Sequence, residues 1–422
     1  MKPIRHLLII FAVLGLLMPA AAFAADTRAL EQQVQELARQ LKELQAQLAS
    51  QNQIIESNKQ RLSGHKRNFQ RDRTHIQDQA QEQKQAQAEN TSELKESGVL
   101  GEGLKFVNNR IKLSGLVEAE VNYSKDYDDN DSSDIALATA ELDIDIDLHK
   151  YVKSHILFLW EEDDTEPVDI DEAYIYLGNT EEFPLFCQVG KLYVPFGNFE
   201  SNMISDPLTL EIGETRETAI VVGAEFNGLS ASTYVFNGDI DESGDDDEIK
   251  SFGIAAGYVF ENDTFGIDVG MGWINNLGDS DTLGDTLPSE IDDYVDGITA
   301  HAILSWQGLQ LIGEYLGALD EFEVSELDFK GDGAEPEAWN IELGYTFEIA
   351  SHETVFAIAY QGTDEALALE LPEQRYLGSC GIGLIDGLSL AVEYAHDKDY
   401  DKSDGGTGDS ADSVTMQLSL EF

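Results

Sequence analysis

Basic side chains are scarce in this 422-residue chain: 26 Lys and Arg stand against 81 Asp and Glu, a formal net charge of −55. Phosphate backbones demand an excess of cations, so nucleic acid is excluded as a general partner. Cysteine is nearly missing, and Cys187 and Cys380 alone build neither a disulfide framework nor a four-ligand zinc site. Mean hydropathy is −0.27. Beyond the N-terminal segment, no apolar run approaches the ~18 residues that a transmembrane helix needs. No G-x-S-x-G, H-E-x-x-H or phosphate-binding loop occurs, and the eight histidines are scattered. Asp397, Asp399 and Asp401 begin like a calcium loop, but Lys402 stands where glycine is required. No cofactor, resident metal or catalytic residue is expected, and the chain does not read as an enzyme.

What is present starts with a leader. Lys2 and Arg5 precede an apolar run from Leu7 to Met18, followed by Pro19 and the small-residue stretch Ala22-Phe23-Ala24-Ala25. A charged start, a short apolar core and an A-x-A-like site form a signal peptide over residues 1–25. No cysteine sits at the cleavage point, so an exported chain is expected and a lipoprotein is not.

The remainder divides by charge. Residues 26–97 hold 11 acids and 11 bases, whereas 98–422 hold 70 acids and 13 bases. Gly98, Gly101 and Gly103 punctuate the boundary, which makes 98–110 a linker. In the first region Leu30, Val34, Leu37, Leu41, Leu44 and Leu48 alternate spacings of four and three, and Ile55 and Leu62 continue the seam. This heptad pattern predicts an α-helical coiled coil that self-associates. A lone amphipathic helix lying on a core is the alternative.

The second region has period two. Val414, Met416, Leu418, Leu420 and Phe422 alternate with Ser413, Thr415, Gln417, Ser419 and Glu421. The same alternation sets Leu113, Val117 and Val121 against Lys112, Glu118 and Glu120, and Leu142, Ile144 and Ile146 against Glu141, Asp143 and Asp145. A soluble sandwich also alternates, so the connections decide. Seven short turns, near residues 149, 180, 227, 262, 307, 351 and 386, alternate with eight long acidic loops, the first over 124–134 and the longest over 194–218. This layout predicts an all-β transmembrane barrel of sixteen antiparallel strands over 111–422, with long loops at one rim and short turns at the other. Phe422 would close it. Trp160, Trp273 and Tyr394 fall towards the long loops, and Phe226, Trp306 and Phe347 towards the short turns, as two aromatic girdles require.

Six loop windows carry 41 of the 81 acids. Solvation beside lipopolysaccharide is one reading, and a cation-gathering vestibule is the other. Glu118, Glu120, Asp143 and Asp145 are assigned to the lumen. Lys191, Arg216 and Arg375 are the candidate lumen bases. They either neutralise lumen acids or recognise a carboxylate-bearing solute. Cys187 and Cys380 fall on strands five and fourteen, too far apart for a disulfide.

Val189-Gly190-Lys191-Leu192-Tyr193-Val194-Pro195-Phe196-Gly197 resembles the strand-to-loop junction of porin O/P-type barrels, as does Asp171–Leu177 before it. The phosphate selectivity of those barrels does not carry over, because acids replace their basic lumen. With the leader, the Gln-rich coiled coil and Leu113-Ser114-Gly115 opening the barrel, the full layout is closer to the LbtU family of siderophore porins. That resemblance implies an outer-membrane protein without a plug domain that takes up a ferric siderophore. Resemblance to trimeric porins implies a homotrimer. The expected setting is a Gram-negative outer membrane, with lipid and lipopolysaccharide around the barrel and the coiled coil in the periplasm. A diffusion porin for small cationic solutes and a structural envelope tether are the competing functions.

Overall fold

The computed structural model describes residues 110–422, apart from 163, 164, 166, 245–248 and 263. The leader and the heptad seam from Leu30 to Leu62 lie outside the described residues.

Alternation of period two makes strands, and among the described residues sixteen of them form the barrel wall. They are β1 (Ile111–Lys125), β2 (Asp131–His149), β3 (Val152–Trp160), β4 (Asp169–Asn179), β5 (Phe183–Tyr193), β6 (Arg216–Phe226), β7 (Leu229–Phe236) and β8 (Ser251–Glu261). Then follow β9 (Phe265–Ile274), β10 (Gly297–Trp306), β11 (Leu309–Ala318), β12 (Glu337–Ile349), β13 (His352–Asp364), β14 (Gln374–Ile385), β15 (Leu388–Lys398) and β16 (Ser410–Glu421). Each pairs antiparallel with its sequence neighbours, and β1 pairs with β16, so the sheet is a closed barrel. At the seam Gly115 and Phe422 exchange backbone hydrogen bonds of 3.1 Å in both directions. A Cβ on Gly115 would meet the Phe422 ring at 2.7 Å, so glycine makes room for the closing aromatic. An unpaired backbone group in hydrocarbon costs several kcal/mol, and closure removes every edge that would expose one.

Turn chemistry sets the register. Asn227-Gly228 and Gln307-Gly308 both have positive φ at both residues, the geometry of a two-residue hairpin that follows strand twist. The first long loop departs from the expected 124–134. The strands run to Lys125 and restart at Asp131. The five residues between them fold tightly because the Asp126 carboxylate accepts from the amides of Asp128 and Asn130 and from the Asn130 side chain.

The barrel turns its grease outward. Leu113 is 60% exposed, Ile254 54% and Leu418 44%, while their strand neighbours of opposite phase face in. A continuous apolar outer wall is stable only against lipid. No helix among the described residues is long and apolar enough to cross a membrane. The buried apolar cluster lies mainly in the long loops. Leu277, Leu283, Ile291, Phe322, Leu327 and Tyr400 come from the long acidic loops and pack together with Leu208 and Ile212. Tyr400 also caps its neighbours: its hydroxyl lies 2.7 Å from Thr363 Oγ1 and accepts the Ala366 amide. The acidic loops thus share an apolar core.

Candidate functional site

The loop 194–215 does not rise from the rim. Val194 and Phe196 are buried, and Gly197 at φ 88° turns the chain. A Cβ there would lie 2.1 Å from the Phe199 ring, so only glycine allows the turn. The loop then crosses to the far wall, carrying a short helix α1 (Leu208–Gly213).

Three buried glutamates hold it. Glu314 on β11 accepts from the amides of Asn198 and Phe199 and from the Thr209 hydroxyl. Glu342 on β12 accepts from the Ser201 hydroxyl, the Asn202 amide and the Asn202 side chain. Glu393 on β15 accepts from the amides of Ile204 and Ser205 and from the Ser205 hydroxyl. Each carboxylate takes three donors from a loop more than 100 residues away in sequence. A buried carboxylate is costly unless its lone pairs are filled, and here loop donors fill them. Gln361 accepts the Leu208 amide and Ser379 donates to the Asn202 carbonyl, completing the far-wall attachment.

Among the cavities that border this loop are two acidic ones. The larger, about 1110 Å³, is lined by ten acids and by two bases, Lys191 and Arg216. The smaller, about 460 Å³, is lined by six acids and no base. They meet at Leu159, Glu161, Tyr193 and Asp206, which line both. Loop carboxylates here resist ionisation. Burial, with Asp281 and Asp206 nearby, pushes Glu214 up to about 8, against the pull of Arg216. Burial pushes Asp279 up to about 6, although Ser251 and the Ile240 amide donate to it. Asp206 and Glu211 are raised for the same first reason, with other acids adding to it.

Glu118 and Glu120 line the smaller cavity, where Gln417 donates to Glu120 at 2.9 Å. Asp143 and Asp145 sit beside His155, at 3.8 and 2.9 Å, with Glu172 at 3.6 Å on the same ring. Lys191 is in register with Ala173 and Thr218, the phase that turns Val189 and Ile220 outward. Its ammonium bends to Asp169 at 3.4 Å and to the Ile170 carbonyl at the cavity edge. Arg216 pairs with the buried Asp171, which also accepts from the Tyr193 hydroxyl. Arg375 grips Asp397 with two bonds of 2.9 and 3.0 Å. Lys191 and Arg216 therefore share a cavity, Arg375 lines neither, and each of the three holds a carboxylate. Both cysteines are free thiols, on β5 and β14.

Glu314, Glu342 and Glu393 are not recognisable as loop anchors from the sequence. Their signal was an acid on the inward phase of otherwise apolar strands, but nothing local says that a loop donates to it.

No family model matches the chain. It is 30% identical over 309 residues to a UPF0422 protein of Coxiella burnetii, covering 71% of this chain and 66% of that protein. It is 28% identical over 359 residues to UPF0422 protein lpp3030 of Legionella pneumophila, covering 74% and 66%. The chain thus spans 66% of the length of the curated relatives it matches. Among solved structures, Pseudomonas putida OprB superposes with a TM-score of 0.55 at 10% identity, over 76% of this chain and 96% of that one. The outer membrane channel DcaP of Acinetobacter baumannii superposes at 0.52 and 13% identity, over 74% and 97%. The chain is therefore similar to UPF0422 proteins and carries a closed sixteen-stranded barrel of the fold seen in outer-membrane channels.

Proposed function

We propose that the protein is an outer-membrane channel for passive diffusion that prefers cations. The carrying observation is the pair of cavities meeting at Glu161 and Asp206, where acids far outnumber bases. Lys191 and Arg216, the two bases present, already hold Asp169 and Asp171. Like-signed walls of low dielectric focus the field on entering ions and concentrate the opposite charge. The test is the reversal potential of single channels in a KCl gradient. Cation preference is expected, and clear chloride selectivity overturns the reading.

Uptake of a ferric siderophore is the second reading. The resemblance in layout favours it, and so does the placing of Lys191 and Arg216 on one cavity. If the solute carries carboxylates, a variant with Lys191→Gln, Arg216→Gln and Arg375→Gln weakens its block of the conductance while the barrel still folds. Unchanged block means that these bases only neutralise wall acids.

A further inference from the structure

We propose that the larger cavity binds a linear organic polycation of the polyamine class, with ammonium groups spaced along an apolar chain. This rests on the cation-preferring channel proposed above and names the solute class its vestibule fits.

Negative charge is spaced along the cavity wall and not gathered at one point. The lining acids come from separate segments: Asp169 before the inward loop, Asp206 and Glu214 on it, and Asp239 and Asp285 beyond. A bound divalent ion needs oxygens converging at about 2.3–2.6 Å. Among the described residues, no group of three His, Cys, Asp or Glu converges in that way. A point ion therefore answers only part of the field, whereas charges spaced along a chain answer carboxylates spaced along a cavity.

The cavity wall also holds an unpartnered neutral group. Ser280 lines the cavity, is 0% exposed, and its hydroxyl has no hydrogen-bond partner among the described residues. A buried hydroxyl without a partner has its lone pairs unfilled, and an ammonium N–H can donate to them. Leu159, Val168 and Leu210 add apolar surface for the methylenes between ammonium groups. At about 1110 Å³ the cavity is large enough for such a molecule, since ligand pockets run to about 300–1,000 Å³. The elevated titration of Glu214 and Asp279 agrees, because a bound cation relieves the repulsion and burial that raise it.

Spermine is the probe, added to the long-loop side of single channels of the full chain in planar bilayers, with Mg²⁺ as the comparison. Voltage-dependent block is expected at concentrations about tenfold or more below those at which Mg²⁺ blocks, since several spaced charges act together. Asp239→Asn with Asp285→Asn should raise the half-blocking concentration by about fivefold or more, and Ser280→Ala by about twofold. Block by Mg²⁺ at matched concentration overturns the proposal, as does spermine block indifferent to the double variant. If that variant does not insert, the spermine and Mg²⁺ comparison on the unaltered protein decides. Reversal potentials from the same bilayers separate the two readings. Cation preference without spermine block removes only the polyamine site, whereas absence of cation preference removes the channel reading beneath it.

Discussion

Glu342 is 0% exposed and satisfies three donors on the inward loop. Replacing it with alanine orphans those donors, at about 1–3 kcal/mol each for groups that stay buried. That exceeds what the loop recovers by packing one methyl, so Glu342→Ala should free this stretch of the loop. Larger, noisier single-channel conductance is expected with normal insertion, and an unchanged, quiet conductance counts against the anchor. Glu214 predicts a pH effect. Its carboxyl sits up to about 8 instead of 4.5, so it is neutral below about 8 and charged above. Cation preference should therefore rise between pH 6 and pH 9, read from reversal potentials. Between 4.5 and about 8 the folded loop holds more protons than an unfolded one. The stability of the loop then falls as pH rises through that window. A preference that falls with rising pH contradicts this assignment.

The barrel strands and the loops obey different rules. Strands β1 and β16 meet through Gly115 and Phe422, and the last residue adds both a backbone pair and an aromatic at the short-turn rim. Deleting Phe422 removes the reciprocal hydrogen bonds of the seam. The heat-modifiable folded species in the outer membrane should decrease, as read by gel mobility before and after boiling. Unchanged yield would mean that the seam closes without it. Strand positions were legible because alternation has period two and the turns carry their own chemistry, as in Asn227-Gly228. The loops were legible in position but not in direction. Their acids pointed to solvated arms, yet Leu277, Phe322 and Tyr400 bury in a shared core. Hydrophobic burial at about 25 cal/mol per Å² rewards such packing, while acids at the loop surface stay in water.

For the whole molecule, we propose that the barrel works as a trimer and that residues 26–97 form a self-associating coil. The coil proposal rests on the apolar seam from Leu30 to Leu48, in which polar residues such as Gln51 and Asn58 would fix register. Sedimentation equilibrium on the isolated segment is the measurement. A monomer at high micromolar concentration removes the coil, and a dimer keeps the coil and removes the trimer. The closed sheet also explains how a chain with 81 acids tolerates lipid. Among the described residues its carboxylates lie in loops, on the inward phase or, as Glu337 and Asp412 do, at the loop ends of strands, where water, ion pairs or loop amides meet them.

The sequence by itself determined the strand count, the alternation of short turns and long loops, and the excess of acid. All three are written in neighbouring residues: period two follows from the pleat, and turns follow from residues that accept positive φ. It also placed Glu118, Glu120, Asp143 and Asp145 on the lumen phase, because that phase is local. Only the tertiary structure decided that the loop after Gly197 folds inward, since Glu314, Glu342 and Glu393 are distant in sequence and meet it only once the barrel closes. The side-chain course of Lys191 was decided there too. Its register points it away from the lumen, and the carbonyl of Ile170 and the carboxylate of Asp169 draw it back to the cavity edge.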